Sequence, residues 1–218
     1  MPSVQTPTGM LMFPHLFVAR PVVQGGDPRF SMILVFSPDQ QKSSAYAQLK
    51  QGVADAIDAK FGAGKCRDVN WLKGVKFASP FRDAGEKGQY QGFNQGHIFI
   101  APWTKSKPGI VDANRQEIFA PADVWAGQLA RANVSFYAYQ VSGNTGCSLM
   151  LDNVQIVKQD MPRMDGRVSA DRAFAVVNEA TDIPHEYRHA SSGNAPPPAD
   201  RPPPGGYSGE MPSEELPF

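Results

Sequence analysis

The proline-rich C-terminal end limits what this 218-residue chain can fold into more than any other part of its sequence. Eight of the 20 prolines lie after residue 190, among alanine, glycine and serine and with almost no large apolar side chain. Such a stretch cannot bury enough apolar surface to offset the entropy lost when it becomes ordered. We therefore predict a folded domain over residues 1–189, a disordered Pro/Gly-rich linker over 190–209 and a separate terminal peptide over 210–218.

Alternating apolar residues predict the strands of the folded domain. The segment 29–36 is apolar on both faces, which is typical of a strand covered on both sides: Phe30, Met32, Leu34 and Phe36 share one face, and Ile33 and Val35 the other. Turn residues at 25–28 connect it to an earlier strand around 10–18. Further strands are predicted over 96–101, 129–141 and 147–158, the last two as a hairpin with a loop at 142–146.

One main helix is predicted directly after residue 36. Ser37 and Gln40 have the spacing of a capping box, with Pro38 at the first helical position. Gly62 and Gly64 stop the helix, and its apolar residues recur at helical spacing: Tyr46, Leu49, Val53 and Ile57.

The tally of elements predicts the fold class. About five strands and one main helix, with glycine-rich long loops and short strands over 62–95 and one or two helical turns over 121–128, indicate a mainly β protein. We expect an OB-fold-like Greek-key barrel followed by the disordered C-terminal tail. The segment 161–189 has no pattern that predicts a structure.

The charge of the chain is unevenly distributed, although 21 basic residues balance 21 acidic ones. Residues 1–189 hold 20 basic against 17 acidic residues, a net charge of +3, and residues 190–218 carry the opposing –3. Within the body, the segment 60–115 has ten basic and four acidic residues. Such a positive region attracts polyanions, and the acidic segment can compete with them.

Aromatic residues are interleaved with the cations of this basic segment. Single-stranded nucleic acid needs both groups, because cations neutralise phosphates and flat rings accept unstacked bases. The candidate DNA-binding residues here are Trp71, Lys73, Lys76, Phe77, Arg82, Tyr90, Phe93, Trp103, Lys105 and Lys107. The alternative is that most of these rings belong to the core and that the last two lysines lie in a solvated loop.

The predicted strand over 129–141 adds a second stripe of candidates. Its alternation places Ala132, Val134 and Phe136 toward the core. The other face carries Arg131, Asn133, Ser135, Tyr137 and Tyr139, of which Arg131, Tyr137 and Tyr139 are candidate DNA contacts. An ordinary amphipathic surface strand is the alternative.

No catalytic, cofactor or metal site is predicted. The segment 62–66 has the glycines of a phosphate loop, but Ala59 stands where the leading glycine should be and Cys66 where a hydroxyl residue should be. His185 and His189 are four residues apart with no secure helix beneath them. No serine lies in a nucleophile elbow and no carboxylate cluster suggests metal-assisted hydrolysis, so we expect no enzyme activity.

The start of the chain and its cysteines predict where the protein resides. The apolar run 10–13 is interrupted by Pro14 and has no basic residue before it, so we expect neither a signal peptide nor a membrane span. Cys66 and Cys147 are too few for a disulfide scaffold and fit a reducing cytosol as two small buried thiols.

The last nine residues, 210–218, carry the most specific signal. Two acidic residues precede an apolar terminus in Glu214, Glu215, Leu216, Pro217 and Phe218. This end resembles the acidic tip of bacterial and phage single-stranded DNA-binding proteins, which follows a disordered linker. The resemblance implies that the tip binds partner proteins, since a terminal Phe and its carboxylate can dock into an apolar pocket rimmed by cations.

Segments of the body extend the resemblance to residues 9–158. The motifs are His15-Leu16-Phe17, Asp27-Pro28-Arg29-Phe30-Ser31, Ser37-Pro38-Asp39, Ala78-Ser79-Pro80-Phe81-Arg82-Asp83, Val124-Trp125-Ala126-Gly127, Arg131-Ala132-Asn133-Val134 and Asn153-Val154-Gln155. They are similar to the single-stranded DNA-binding proteins of tailed bacteriophages, which have an OB fold.

This resemblance implies a protein of phage replication and recombination that coats single-stranded DNA in the host bacterial cytoplasm. We expect sequence-independent binding, with the tip recruiting a polymerase or helicase and competing with DNA for the groove. A non-catalytic adaptor barrel that tethers partners through its tail is the alternative, and a nuclease or annealing factor is a weaker third. The oligomeric state is left open, with a homodimer among the options.

Overall fold

The third strand shows how the sequence builds a sheet with two apolar faces. In the computed structural model, which describes residues 3–21, 25–164 and 175–178, this strand spans Arg29–Phe36. Its inward residues Met32, Leu34 and Phe36 are buried in the main core. Val35 points to the opposite face and is buried in a second, smaller cluster. The predicted two-sided cover of this strand is confirmed.

The described residues form nine strands and two α-helices, with short 3₁₀ turns between them. The helices are α1 (Ser44–Phe61) and α2 (Val69–Gly74). The strands are β1 (Val4–Gln5), β2 (Gly9–Arg20), β3 (Arg29–Phe36), β4 (Arg82–Asp83), β5 (Ile98–Ile100), β6 (Trp103–Thr104), β7 (Gly109–Val111), β8 (Leu129–Val141) and β9 (Asn144–Lys158).

The sheet closes on itself because β8 pairs with both β2 and β9, in addition to the short β1. The strand order is β1-β8-β2-β3-β6-β9-β7, and β8 also pairs with β9 along its whole length. The circuit β2-β3-β6-β9-β8 is therefore a barrel, in which the β6–β9 pair is parallel and the others are antiparallel. The predicted class, a mainly β OB-like barrel with one main helix and long loops, is confirmed.

The start of the main helix differs from the prediction. Ser37 and Gln40 do form the reciprocal capping box, with their backbone N–H groups donating to Gln40 Oε1 at 2.7 Å and Ser37 Oγ at 3.4 Å. This box begins only a 3₁₀ turn over 40–42. The extended backbone of Ser43 then separates this turn from α1. The Ser43 Oγ caps α1 by accepting from Tyr46 N–H at 3.2 Å.

Two further predictions of local structure were wrong. The segment 62–95, predicted as loops and strands, contains α2, whose start is capped by the Asp68 carboxylate accepting from Trp71 N–H. The β8–β9 loop is a two-residue turn rather than five residues, since Val141 pairs directly with Asn144. Ser142 and Gly143 both have positive φ, as the tight hairpin turn that matches strand twist requires.

Helix α1 packs its buried residues Tyr46, Leu49, Val53 and Ile57 against the barrel core, as predicted. Its close approach to β8 depends on Gly52, where a Cβ would lie 2.3 Å from the Phe136 ring. Within the described ranges, no helix combines the length and apolarity needed to cross a bilayer.

The chain divides into two compact units, Met1–Ser169 and Ala170–Phe218. The first contains all the elements above. In the second, the described residues 175–178 are exposed and form no regular element. The predicted domain end at residue 189, the linker over 190–209 and the tip over 210–218 lie outside the described residues.

Candidate nucleic-acid interface

The pairing register places one row of side chains across the outer face of the barrel. Ser31 on β3 lies opposite both His15 on β2 and Trp103 on β6. Trp103 lies opposite Met150 on β9, which in turn pairs with Ser135 on β8. Directly paired residues share a face, and their sequence neighbours Met32 and Leu149 are buried in the core. This row therefore faces away from the core.

Trp103 is held on this face by contacts on two sides. Its indole Nε1–H donates to Ser148 Oγ at 2.8 Å, across 45 residues of sequence. The Arg29 guanidinium lies 4.7 Å from the centre of the ring, within cation–π distance. The indole remains half-buried rather than enclosed, so part of it stays open to a ligand.

Two tyrosines continue the face along β8. Tyr137 pairs with Ser148, the residue that holds Trp103, and Tyr139 pairs with Gly146. Their ring centres are 6.4 Å apart and the ring planes differ by 18°, so the rings are nearly parallel. Tyr137 is 48% exposed. Gly146 leaves room for the second ring, since a Cβ there would lie 2.7 Å from the Tyr139 hydroxyl.

Lysines lie beyond the tyrosines, at one end of this face. Lys76 and Tyr139 line the same open cavity of about 850 Å³ beside the β8–β9 turn. Lys73 and Lys76 together line a neighbouring groove against α2. Both ammonium groups are exposed, so this end is positively charged.

A second group of cations gathers at the opposite end, around the β2–β3 turn. Arg20 pairs directly with Arg29 across these strands, which places two like charges side by side. Lys105 donates to the Asp27 carboxylate at 2.8 Å, and this hydrogen bond is the main reason that the pKa of Asp27 lies below its usual value. Lys107 lies 5.8 Å from the centre of the Phe17 ring.

We call the whole surface the outer trough, formed by Arg20, Arg29, Trp103, Lys105, Lys107, Tyr137, Tyr139, Lys73 and Lys76.

Several predicted residues lie elsewhere. Trp71 and Phe77 pack against the main core, where the Trp71 ring centre lies 5.1 Å from that of Phe61 and 6.2 Å from that of Phe77. Arg82 forms an ion pair with Glu86 and covers Phe99. Phe93 is buried, Tyr90 lies beside Phe13 of β2 rather than within the outer trough, and Arg131 donates to Gln155 Oε1 at 2.9 Å. For these residues, DNA contact stays a prediction, and the tip residues 214–218 lie outside the described part.

Sequence reasoning did not select Arg20, Arg29 or His15 as site residues. The alternation along β3 could have indicated Arg29, because Arg29 and Ser31 lie on the same face of the strand as Ile33 and Val35, which is the face opposite the main core. His15 needed the β2–β3 register to place it beside Ser31. Its pKa is lowered, first by burial and then by the charge of Arg20, so its imidazole resists protonation.

The described ranges contain no group of three or more His, Cys, Asp or Glu side chains that could hold a metal ion. Both cysteines are free thiols. Cys147 is buried, and burial raises the pKa of its thiol to about 11. Cys66 is only half-buried, in contrast to the prediction, and its Sγ lies 3.4 Å from the Asp58 carboxylate.

Among the solved structures with the same fold are proteins from two phages. The single-stranded DNA-binding protein from bacteriophage Enc34 in complex with ssDNA matches with a TM-score of 0.58 and 14% identity, over 72% of this chain and 87% of that one. A further structure of the Enc34 protein matches with a TM-score of 0.55 and 17% identity, over 78% and 88%. Gp2.5, the single-stranded DNA-binding protein encoded by bacteriophage T7, matches with a TM-score of 0.51 and 12% identity, over 78% and 98%.

At these identities the structural likeness shows a shared fold. A search of the curated proteins finds no match. The family model described as "Enterobacter phage Enc34, ssDNA-binding protein" matches residues 3–184, which is most of the chain. The resemblance inferred from the motifs is thereby confirmed, and the chain belongs to the family of the Enterobacter phage Enc34 single-stranded DNA-binding protein.

Proposed function

We propose that this protein binds single-stranded DNA without sequence preference and that the outer trough is its binding surface. The observation that carries the proposal is the row of rings from Trp103 to Tyr137 and Tyr139 on one open face, with cations at both ends. Family membership supports the same function.

The trough has the two kinds of group that unpaired DNA requires. Stacking of a base on an aromatic ring contributes about 1–3 kcal/mol and tolerates any base, because every base has a flat face. Lysine and arginine side chains neutralise phosphates and release counterions, which makes binding weaker at high salt. The proposal includes no catalytic step and no cofactor, so the protein protects the strand rather than altering it.

An adaptor barrel would need no open aromatic face. The 48% exposure of Tyr137 and the two tyrosines that lie nearly parallel favour a ligand with flat groups instead. Charge favours a polyanion, because Arg20 and Arg29 are paired residues on β2 and β3, and like charges at paired positions are destabilising unless an anion offsets them.

A direct test compares two variants that each lose an aromatic ring. Trp103→Ala should weaken binding of a labelled oligothymidylate about 5- to 150-fold, as expected for the loss of one stacking contact. Phe119→Ala is the matched control, since Phe119 is 71% exposed and lies outside the trough. Affinity of the wild type should fall steeply as salt rises. Equal affinity of both variants for the oligothymidylate, or a wild-type affinity that does not change with salt concentration, would refute the proposal.

We further propose roles for the C-terminal tip in phage replication and recombination within the host cytoplasm. Glu214 and Glu215 are negatively charged, as DNA is, so the tip occupies the positive trough while DNA is absent and competes with DNA for it. When DNA binds, Leu216, Pro217 and Phe218 become available to a polymerase or helicase. Self-association of the chain as a homodimer is part of the same proposal.

Removal of residues 210–218 tests both roles of the tip. The truncated protein should bind oligothymidylate more tightly at low salt, and the gain should vanish at high salt because screening removes the competition. Capture of a polymerase or helicase should be lost. A truncated protein with the affinity of the full chain at low salt would disprove the competition.

A further inference from the structure

Strand β2 contains a bulge at Phe13. Met12 pairs with Ile33 and His15 pairs with Ser31, so two residues of β2, Phe13 and Pro14, oppose a single residue of β3. The backbone of Phe13 has a φ of 47°, in the left-handed region. Glycine is the usual residue at such a bulge position, because it has no Cβ to clash.

A phenylalanine at this position is unusual. A bulky residue with positive φ is a conformational outlier, and strain of this kind persists only where the surrounding structure enforces it. Bulges occur next to functional sites, where the extra residue turns a side chain to a new direction. Here the bulge directs Phe13 toward the outer side of the sheet, where it packs on the second cluster.

Phe13 is part of a small group of rings under a cation. Its ring centre lies 5.1 Å from that of Tyr90, and the two planes are nearly perpendicular. The ammonium of Lys87 lies 5.8 Å from the Phe13 ring and 5.9 Å from the Tyr90 ring. Tyr90 is 44% exposed, and no ion pair to Lys87 is present in the described part of the chain.

This group lies next to the end of the outer row. Phe13 is two residues from His15, which pairs with Ser31 and thus heads the row that leads to Trp103. Neighbouring strands are about 4.8 Å apart, so the row that runs from β2 over β3, β6 and β9 to β8 follows about 19 Å of the curved outer surface of the barrel, a length that suits several nucleotides within the 4–16 bound by one OB fold.

We propose that Phe13, Tyr90 and Lys87 form a second base-stacking step, which lengthens the DNA path from the trough across β2. The exposed Tyr90 ring receives a base, the strained Phe13 supports that ring edge-on, and Lys87 neutralises the adjacent phosphate. This inference rests on the proposed function of the trough, since the step adds nucleotides to a strand that the trough already holds.

Oligonucleotide length separates the two sites. A four-nucleotide oligothymidylate is short enough for the trough alone, whereas a twelve-nucleotide one reaches both. Tyr90→Ala should weaken binding of the long oligonucleotide about tenfold and of the short one less than twofold, whereas Trp103→Ala should weaken both. Equal effects of Tyr90→Ala at both lengths, or none on the long one, would overturn the second step. Failure of the trough itself would appear separately, as wild-type protein that binds neither length or as a Trp103→Ala variant that binds both lengths with wild-type affinity.

The strain at Phe13 provides an independent test. Phe13→Gly removes both the ring and the strained Cβ, whereas Phe13→Leu removes the ring and keeps the strain. Both should weaken binding of the long oligonucleotide several-fold, while the glycine variant melts at or above the temperature of the leucine variant. Lys87→Gln should lower the slope of log affinity against log salt by about one. Wild-type affinity in all three variants, with Phe119→Ala as control, would refute the assignment.

Discussion

The outer face of the barrel has a covered half and an open half, and one strand passes through both. On β3, Ile33 and Val35 belong to the second apolar cluster, together with Phe93 and Phe99. Two to four residues earlier, Arg29 and Ser31 occupy the same side of the strand without such a cover. The cover ends at Tyr90 and Phe13, where the exposed rings and cations begin.

This difference shows that one continuous face of a sheet can stabilise the fold in one part and bind a ligand in another. Apolar residues in the covered half contribute through area removed from water, about 25 cal/mol per Å². The open half leaves its rings and charges at least partly in solvent, so they contribute less to folding but remain available to a ligand.

The largest effect that tests this comparison is loss of stability in the covered half. Phe99 is fully buried, so Phe99→Ala should lower the free energy of unfolding by about 3–5 kcal/mol. Urea denaturation measures the change, and molecules that remain folded should bind DNA with the wild-type affinity. A similar loss of stability in Trp103→Ala, which removes a half-buried ring of the open half, would contradict the division.

A smaller effect is expected where one glycine shapes the open half. A Cβ at Gly146 would lie 2.8 Å from the backbone oxygen of Ala78 and close to the Tyr139 hydroxyl, so Gly146→Ala should destabilise the protein by about 1–3 kcal/mol and weaken DNA binding. Gly74→Ala is the control, since nothing lies within 4 Å of its Cβ, and should change stability by about 0.5 kcal/mol or less. Equal behaviour of both variants in urea would show that Tyr139 does not need this space.

Charge reversal at the lysine end of the trough comes next. Lys76→Glu should weaken DNA binding about tenfold at low salt and reduce the salt slope by more than one, because it replaces a cation with an anion. Lys50→Glu is the matched control, on the exposed side of α1. Binding titrations at several salt concentrations measure both. The same loss in both variants would indicate a general field effect rather than a contact.

The smallest effect concerns pH at the border between the halves. The pKa of His15 is lowered from 6.5, mainly by burial and also by Arg20, so the folded protein binds fewer protons here than the unfolded chain. The contribution of His15 to the free energy of unfolding is therefore fully present above pH 6.5, the pKa of histidine in the unfolded chain. It is lost as the pH falls from there through the lower pKa that His15 has in the folded protein. His15→Gln should therefore lose less stability than the wild type between pH 7.5 and 5.5 in urea denaturation. An unchanged pH dependence would show that His15 is not the responsible group.

The parts of the fold with local patterns could be predicted from the sequence. Alternation identified both faces of β3 and the β8 stripe with Tyr137 and Tyr139, because burial on one side fixes a period of two. Helical spacing identified α1 and its four buried residues. The short α2 was missed because glycines surround it and six residues are too few for a clear period.

The assembled site depended on pairings that no local pattern contains. Trp103 reaches Ser148 through a parallel pair with β9, across 45 residues. The positions of His15 and Phe13 follow from a bulge, which shifts the β2–β3 register. The sequence therefore named most rings and cations of the trough, but only the closed sheet shows that Trp103, Tyr137 and Tyr139 share one face.

The most direct test of the trough is the emission of Trp103 during DNA binding. The chain has three tryptophans, so a Trp71→Phe, Trp125→Phe variant leaves Trp103 as the single reporter. Titration with oligothymidylate should quench its emission in step with binding, and added salt should restore the signal as the DNA dissociates. Binding that leaves the emission of Trp103 unchanged would contradict the claim that DNA lies on this face.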